Sequence, residues 1–368
     1  TKPVDIYVVD SGIRDSHVEF ADAWRGNATR VRRLYNAFPS LAWDCAFHGT
    51  HVAALAGGNY AARLETSATV NHTIWDVRVL DCTGSGSYSH VINGLYAVLD
   101  QCSIYNRTRA SIVNMSLGGG YSVTVLDMIA TVARELQILC DAAVVAAAGN
   151  DAADACVSIP GALQGQNLGE LTIVAALNPS NEFATSYSNY GRCVTFIEPG
   201  TDIVSAIHTC DTCYGIASGT SMATPVLVAQ MVRHKAAEPS LWYSAAAGTH
   251  LSNSGMAGTT AAHARALLFD EVVFYHTAVT ADTRPIPNTP AETPIRVAWL
   301  KQDAPLLSSL PYAQKPPSQG DFTNIISIAQ PPVLRSVLGS SGAPAGATGA
   351  LLRWTLVALI AGGLVVIG

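Results

Sequence analysis

The stretch SGTSMATP, residues 218–225, runs from a turn into an apolar helical pattern and carries three hydroxyl groups, on Ser218, Thr220 and Ser221. A serine at a helix start caps the helix or, beside a base, acts as a nucleophile. Pro225, placed in the first helical turn, agrees with a helix start and fits both roles. The rest of the chain must therefore show whether a base is present.

Two segments upstream supply a base and an acid. Asp10 follows the buried strand pattern IYVV, and His48 opens the apolar helix pattern FHGTHVAALAGG. A histidine removes a proton from serine near neutral pH, and a carboxylate on its other ring nitrogen fixes the tautomer. Taken singly, Asp10 could cap a turn, and His48 could pair with His51 on a metal, although no further ligand pattern supports a metal. The chain therefore offers an acid, a base and a nucleophile in that order.

Short apolar runs alternate with helical patterns up to about residue 270. The strand patterns are 6–9, 77–80, 111–117, 143–148, 171–176 and 193–197, and the helix patterns are 48–57, 88–100, 123–139 and 221–237. This alternation predicts an α/β fold: a mostly parallel, doubly wound sheet with helices on both faces. Ligands of such sheets bind at the carboxyl ends of the strands.

Composition narrows the class of protein. Of 368 residues, 49% are hydrophobic and 13% are charged, and the net charge is -6. These values indicate a globular protein with a lightly charged surface. The chain has no lysine or arginine cluster, which argues against nucleic acid as a partner.

The composition changes after about residue 275. We predict one domain over 1–275, a Pro/Ser/Thr/Ala-rich stalk or linker over 276–350, and a hydrophobic tail over 351–368, because 11 of the 18 prolines lie in 281–368. The uncharged run from Trp354 is shorter than the roughly 20 residues of a membrane span. Small residues precede it, as in a lipid-anchor signal with attachment near 340–342. A tilted membrane span and a buried helix are the alternatives.

Cysteines and sequons point to a compartment. The eight cysteines are an even number, and Asn27, Asn71 and Asn106 head N-x-[ST] sequons in polar stretches, whereas Asn114 lies in an apolar run and is expected to be buried. Together they favour an oxidising secretory route, with an extracellular or cell-surface destination. Reduced, buried thiols in a cytosolic enzyme are the alternative. Spacing alone does not give the pairing, because eight cysteines allow 105 connectivities.

Several ordered motifs carry a resemblance that extends over about residues 4–270. They are VVDSGIRDSHVEF, HGTHVAALAGG, VRVLDCTGSGSYS, NMSLGGGYS, AVVAAAGNDAADAC, SYSNYGRC and ASGTSMATP. In this order they resemble the subtilisin-like serine proteases, most closely the proteinase K branch in its secreted eukaryotic form. The resemblance implies a serine endopeptidase of broad, apolar-leaning specificity. The rival interpretations are an inactive protein-binding relative and a processing convertase.

The resemblance also implies roles at matching positions. Ser221 corresponds to the nucleophile, His48 to the general base and then acid, and Asp10 to the residue that orients the histidine. Asn150 corresponds to the oxyanion-hole asparagine.

Two segments correspond to the walls of the substrate cleft. The implied lining residues are Ser116, Leu117 and Gly118 on one wall and Ala147, Ala148 and Gly149 on the other. Small residues on the second wall leave room for a bulky apolar side chain. Asp151, which follows the wall, could favour a basic residue at P1 or be an ordinary solvated acid, and the absence of an acidic cluster argues against a convertase.

Disulfides and partners follow from the same resemblance. It implies the pairs Cys45–Cys82, Cys156–Cys193 and Cys210–Cys213, and Cys102–Cys140 is then a hypothesis by elimination. No cofactor is required; structural calcium is possible near Asn178, where the family has an acidic residue. The expected partners are polypeptide substrates and an inhibitory pro-segment that this chain does not contain. The protein is expected to be a monomer that reaches a membrane through its tail.

Overall fold

A computed structural model describes residues 3–22, 26, 28–62, 71–105, 108–165 and 171–237, and five shorter stretches: 279–282, 286–293, 297–300, 325–327 and 364–367. The helices are α1 Phe47–Gly57, α2 Tyr88–Ile104, α3 Val123–Cys140, α4 Gly161–Gly165 and α5 Thr220–Ala237. The strands are β1 Val4–Asp10, β2 Ala21–Asp22, β3 Ala28–Thr29, β4 Val31–Asn36, β5 His72–Arg78, β6 Ser85–Ser87, β7 Ala110–Met115, β8 Leu117–Gly120, β9 Ala142–Ala147, β10 Ser158–Ile159, β11 Leu171–Leu177, β12 Phe196–Pro199, β13 Ile203–Ala206, β14 Tyr214–Ala217, β15 Val279–Asp282, β16 Val297–Leu300, β17 Ile325–Ser327 and β18 Leu364–Ile367.

The centre of the fold is a seven-stranded sheet in the order β12-β11-β9-β7-β1-β5-β4. Every neighbouring pair in it is parallel, as the sequence predicted. After β1, the chain forms β4 and β5 on one side of β1. It later forms β7, β9, β11 and β12 on the other side. A change of direction of this kind opens a crevice at the carboxyl ends of the strands, and Asp10 ends β1 at that crevice.

The sheet is covered on both faces, as a doubly wound fold requires. Alternate residues of β1 face opposite sides: Tyr7 and Val9 lie in one buried apolar cluster with residues of α2 and α3. Ile6 and Val8 lie in a second cluster with residues of α1 and α5. Strands buried on both faces read as continuous apolar runs, which is why the central strands were visible in the sequence.

Two predicted strands are displaced along the chain, and one edge strand of the central sheet was missed. A third predicted strand, 111–117, divides at Ser116 into β7 and β8. The run 77–80 was predicted as a strand, but β5 ends at Arg78, and the N–H groups of Val79 and Leu80 both donate to the carbonyl of Asp10. The run 193–197 was also placed too early, because Val194 closes a turn onto Gly191 and the strand begins at Phe196. The edge strand β4 carries exposed arginines and so lacks an apolar pattern.

A second, four-stranded sheet has the order β10-β8-β18-β6. Its pairs are antiparallel, and its members come from distant parts of the chain. Smaller sheets join β13, β14 and β17, pair β15 with β16, and pair β2 with β3.

Part of the segment predicted as a stalk packs against the domain. Ile286 is buried in the apolar cluster beside α2 and α3. The carbonyl of Pro287 accepts a hydrogen bond from the N–H of Phe183, and the Thr293 hydroxyl accepts one from the N–H of Gly191. One buried apolar side chain and two hydrogen bonds, one of them to the Thr293 hydroxyl, therefore connect 286–293 to the domain. The predicted boundary at 275 lies outside the described residues.

The described helices include none that is both long enough and apolar enough to span a bilayer. Of the predicted hydrophobic tail, 351–368, the structure describes only 364–367, which form strand β18.

Four disulfides stabilise the fold, and they use every cysteine of the chain. The bonds are Cys45–Cys82, Cys102–Cys140, Cys156–Cys193 and Cys210–Cys213. The second bond joins α2 to the end of α3, on the sheet face opposite α1 and α5.

Candidate active site

The sheet and the first long helix bring an acid and a histidine together. His48, the second residue of α1, directs Nδ1 at both carboxylate oxygens of Asp10, at 2.8 and 3.0 Å. Both side chains are at most 1% exposed. Because Nδ1 faces a carboxylate, it carries the proton, and Nε2 is left as an acceptor. Nε2 has no hydrogen-bond partner among the described residues.

A close approach of two backbones fixes this pair. Gly49 follows His48, and a Cβ on Gly49 would lie 2.3 Å from the carbonyl oxygen of Gly12. The Gly49 N–H also donates to the hydroxyl of Ser11, and the Ser11 N–H donates to Asp10 at 2.7 Å. The start of α1 is therefore tied directly to the loop that follows β1.

Ser221 lies at the start of α5, which packs against α1. Its hydroxyl donates to the carbonyl of Ser116 at 3.0 Å, and the Ser116 hydroxyl donates to the carbonyl of Ser221 at 2.9 Å. Asn114 in turn donates from Nδ2 to the Ser116 hydroxyl at 3.0 Å. The end of β7 thus holds both the hydroxyl and the main chain of Ser221.

The position of Pro225 explains one of these bonds and corrects the sequence prediction. The helix begins at Thr220, so Pro225 is its sixth residue and lies beyond the first turn. A proline has no N–H, and the α-helical acceptor four residues before it is the Ser221 carbonyl. The Ser116 hydroxyl supplies the missing donor.

Asn150 is oriented by the residue before Ser221. The N–H and the hydroxyl of Thr220 both bond to Oδ1 of Asn150, at 2.9 and 3.1 Å. A backbone N–H only donates, so the atom facing it is the oxygen, and Nδ2 points away from Thr220. In the described part of the chain Nδ2 makes no hydrogen bond, and the side chain is partly exposed. Its donors are available to a ligand.

A second asparagine, Asn189, braces the Asn150 loop and was not identified from the sequence. Its Oδ1 accepts hydrogen bonds from the N–H groups of Asp151 and Ala153, and its Nδ2 donates to the carbonyl of Ala148. Asn189 is 1% exposed, so loss of this side chain would leave three backbone groups unpaired. The motif SYSNYGRC contains it, but only the fold shows what it contacts.

Two further buried titratable groups lie near the site. Burial lowers the pKa of His51 to about 3, so this histidine is neutral beside His48. Burial raises the pKa of Asp76 to about 8, although Trp43 and the Ile13 N–H donate to it. Neither group forms a metal site: the described residues contain no cluster of three or more ligating side chains.

The residues assigned to the cleft occupy two elements at the same edge. Ser116 and Leu117 lie where β7 passes into β8, and Gly118 is in β8. On the other side, β9 ends at Ala147, and Gly149 has φ +103°, a conformation that favours glycine. A Cβ on Gly149 would lie 2.4 Å from Nδ2 of Asn189, so this wall must stay small.

Asn178 does not fit a calcium ligand. Its Oδ1 accepts hydrogen bonds from the N–H groups of Ser180 and Glu182, at 2.9 and 3.0 Å. These two bonds occupy both lone pairs of the oxygen. Asn178 closes a turn after β11, and its side-chain oxygen has no lone pair for a cation.

Comparison with known proteins gives consistent results. The model of the subtilase family matches residues 1–272. An extracellular serine proteinase from Thermus sp. (strain Rt41A) is 40% identical over 60% of this chain and 48% of its own length. Alkaline serine exoprotease A of Vibrio alginolyticus is 38% identical over 60% of this chain and 36% of its own length. The chain thus spans about half, or less, of these relatives.

A solved structure, that of a cold adapted subtilisin-like serine proteinase, is 29% identical to the chain. Its TM-score is 0.56, and the match covers 80% of this chain and 87% of the other.

Proposed function

The chain belongs to the subtilase family, and we propose on that basis that it is a serine endopeptidase that cleaves polypeptides through an acyl-enzyme on Ser221. One observation carries the proposal. His48 is bonded to Asp10 through Nδ1 and keeps an unpartnered, buried Nε2 at the edge of the sheet where α5 presents Ser221. This is the arrangement that a general base needs to activate a serine.

Acylation would start at the Ser221 hydroxyl. The hydroxyl turns from the Ser116 carbonyl toward Nε2 of His48, and its oxygen attacks the peptide carbonyl as the proton passes to Nε2. Asp10 stabilises the imidazolium that forms. His48 then gives the proton to the leaving amine, the C–N bond breaks, and an ester remains on Ser221. Water, deprotonated by His48, hydrolyses the ester and restores the hydroxyl.

The negative charge that develops on the carbonyl oxygen has two donors. One is Nδ2 of Asn150, whose orientation Thr220 fixes. The other is the N–H of Ser221, which lies in the first turn of α5, where the partial positive charge of the helix adds to the effect. The proposed mechanism uses no cofactor.

Substrate residues would pair with β8 as an added strand and place the P1 side chain beside Ala147, Ala148 and Gly149. The small size of that wall supports an apolar-leaning P1 preference. Asp151 is exposed, as expected of a solvated loop acid.

A fluorophosphonate probe tests the activity, because it reacts only with an activated serine. We expect it to label Ser221 in the intact chain and to leave Ser221→Ala unlabelled. Ser218→Ala is the matched control from the same turn, and its labelling should persist, since the Ser218 hydroxyl bonds to the N–H of Asp202. A folded, unlabelled wild-type chain would instead support a protein-binding role without catalysis.

The proposal also covers the location, glycosylation, membrane attachment and partners of the enzyme. Four disulfides and the extracellular or alkaline proteases among its relatives support an extracellular location. Asn71 is exposed and available to a glycan, whereas Asn27 and Asn106 lie outside the described residues.

A lipid anchor at the tail predicts release from cells by a phosphatidylinositol-specific phospholipase; retention would refute it. An inhibitory pro-segment and a monomeric state complete the expected setting.

A further inference from the structure

The four-stranded sheet contains a strand from the far end of the chain. β18 lies between β6 and β8 and is antiparallel to both. Val365 is opposite Gly86 on one side and Gly119 on the other, and Val366 is opposite Ser85 and Gly118. More than 240 residues separate these partners along the sequence, so no local turn brings them together.

The direction of β18 places its C-terminal end nearest to Ser221. Ile367 is opposite Leu117, whose preceding residue, Ser116, accepts the hydrogen bond of Ser221. The C-terminal end of β18 therefore points toward Ser221. The residues of a peptide substrate on the acyl side of the cleaved bond must approach a serine in the same direction.

β18 is bound through main-chain pairing with the strands on either side of it. β8 already pairs with β10 along its other edge, so β18 fills the edge that an added peptide strand would use. Three of the six facing positions are glycine, and a Cβ on Gly118 would lie 2.8 Å from the carbonyl oxygen of Ile159. Half of these positions therefore carry no side chain, and main-chain pairing accepts many sequences.

We infer that the segment Leu364–Ile367 is an internal competitive ligand of the substrate cleft, one that occupies the strand position of a peptide substrate and keeps other peptides out. The inference rests on the proposed function, because it takes this cleft to be the substrate site. It applies to the chain that keeps its C-terminal end, because attachment of a lipid anchor near 340–342 would remove this segment.

The test measures peptide binding in chains that cannot cleave. All variants carry Ser221→Ala and keep the full chain. Val366→Pro removes a ladder N–H from the middle of β18 and fixes φ, which opposes the pairing. Val357→Pro, in the same apolar run but outside β18, is the matched control. The probe is a fluorescein-labelled peptide with the sequence of residues 359–367, and the readout is fluorescence anisotropy.

We expect the Val366→Pro chain to bind the probe about tenfold more tightly than the Val357→Pro chain. A tethered segment at an effective concentration on the order of 1 mM, with an intrinsic Kd of about 0.1 mM, weakens a competitor by about that factor. Equal affinity in the two chains, or no saturable binding in either, would overturn the inference.

A second measurement covers the case in which Val366→Pro fails to fold. The Val357→Pro chain is titrated with the same peptide and with its proline variant; the inference requires that only the first binds. Because no step depends on hydrolysis, these results are independent of the probe labelling at Ser221. Missing labelling would refute the proposed activity alone.

Discussion

The two sheets that meet at the cleft are held together in different ways. The central sheet is parallel and buried, and the groups at its carboxyl edge, such as Asp10, are fixed by side-chain hydrogen bonds from other elements. The four-stranded sheet consists of short antiparallel strands, rich in glycine at β6 and β8, and its strands pair through the main chain. Chemistry requires atoms at fixed places, whereas peptide binding requires tolerance of sequence, and each sheet has the construction that suits its task.

The largest effect on activity is expected when a hydrogen-bond donor that the fold holds in place, Nδ2 of Asn150, is removed. Asn150→Ala should lower kcat by about 10²–10³-fold with little change in KM, a scale taken from an oxyanion-hole asparagine of a subtilisin. The loss falls on kcat because the donor acts on charge that exists only in the transition state. Steady-state hydrolysis of a peptide amide measures it. Asn178→Ala, which alters a turn outside the cleft, should keep kcat within twofold; an equal loss there would contradict the assignment.

A large loss of stability without loss of catalysis would sharpen the comparison further. Replacing both Cys102 and Cys140 by alanine removes the link between α2 and α3, behind the sheet. The closed loop has a sequence separation of 38 residues, and such a bond contributes about 2–4 kcal/mol to the free energy of unfolding. The guanidinium midpoint should fall while kcat stays within twofold. A fall in kcat at a temperature where the variant is folded would show that α2 and α3 do influence the site.

A change at Ser116, where the two sheets meet, should lower kcat by an intermediate amount. Ser116→Ala removes the donor to the Ser221 carbonyl, and we expect about a tenfold loss in kcat, equivalent to one hydrogen bond. KM should change little, and fluorophosphonate labelling should slow by the same factor, because Ser116 acts by positioning Ser221. Ser103→Ala in α2, whose hydroxyl donates to the carbonyl of Asp100 outside the cleft, is the control, with less than a twofold change. A rise in KM alone would mean that the Ser116 hydroxyl serves substrate binding instead.

The smallest effect concerns pH. Burial raises the pKa of Asp76 to about 8 from 3.8, so the folded chain keeps a proton that the unfolded chain loses near pH 4. The stability that this proton gives is present below pH 4 and is lost as the pH rises toward 8. Asp76→Asn cannot titrate and keeps an acceptor oxygen for the Ile13 N–H. Its Tm should therefore fall less between pH 5 and pH 9 than that of the wild type.

Thermal unfolding at the two pH values checks this expectation, and parallel slopes in the two proteins would contradict it. The buried His51 works in the opposite sense: its pKa is lowered to about 3, so its contribution is lost as the pH falls below about 6.5. Below about pH 4, where Asp76 is protonated in both the folded and the unfolded chain, the pH dependence of Tm should be the same in the wild type and in Asp76→Asn.

The same contrast explains what the sequence could predict. Strands buried on both faces gave continuous apolar runs, and Asp10, His48 and Ser221 each stand at the end of such a run or at a helix start, so motif and position agreed. The bracing roles of Asn189 and Ser116 were not predictable, because each depends on contacts with residues distant in the sequence: 38 residues between Asn189 and Asp151, and 105 between Ser116 and Ser221.

The apolar tail shows the limit of pattern alone. Hydrophobic periodicity does not distinguish a short buried strand from the end of a membrane segment. For β18 the deciding fact is its pairing with β6 and β8, which lie more than 240 residues away in the sequence. The edge strand β4 was missed for a related reason: its arginines reflect solvent exposure, and an exposed edge carries no apolar signal.

The proline in α5 has a consequence for folding order. Its missing N–H leaves the carbonyl of Ser221 to be satisfied by Ser116, which is 105 residues away. Helix α5 can therefore form its later turns alone, but its first turn is complete only when β7 is in place. A partly folded chain would carry a serine that is not yet aligned with its base. Proteolytic competence would thus arrive with the finished tertiary structure, and a newly made chain would not cleave its neighbours until then.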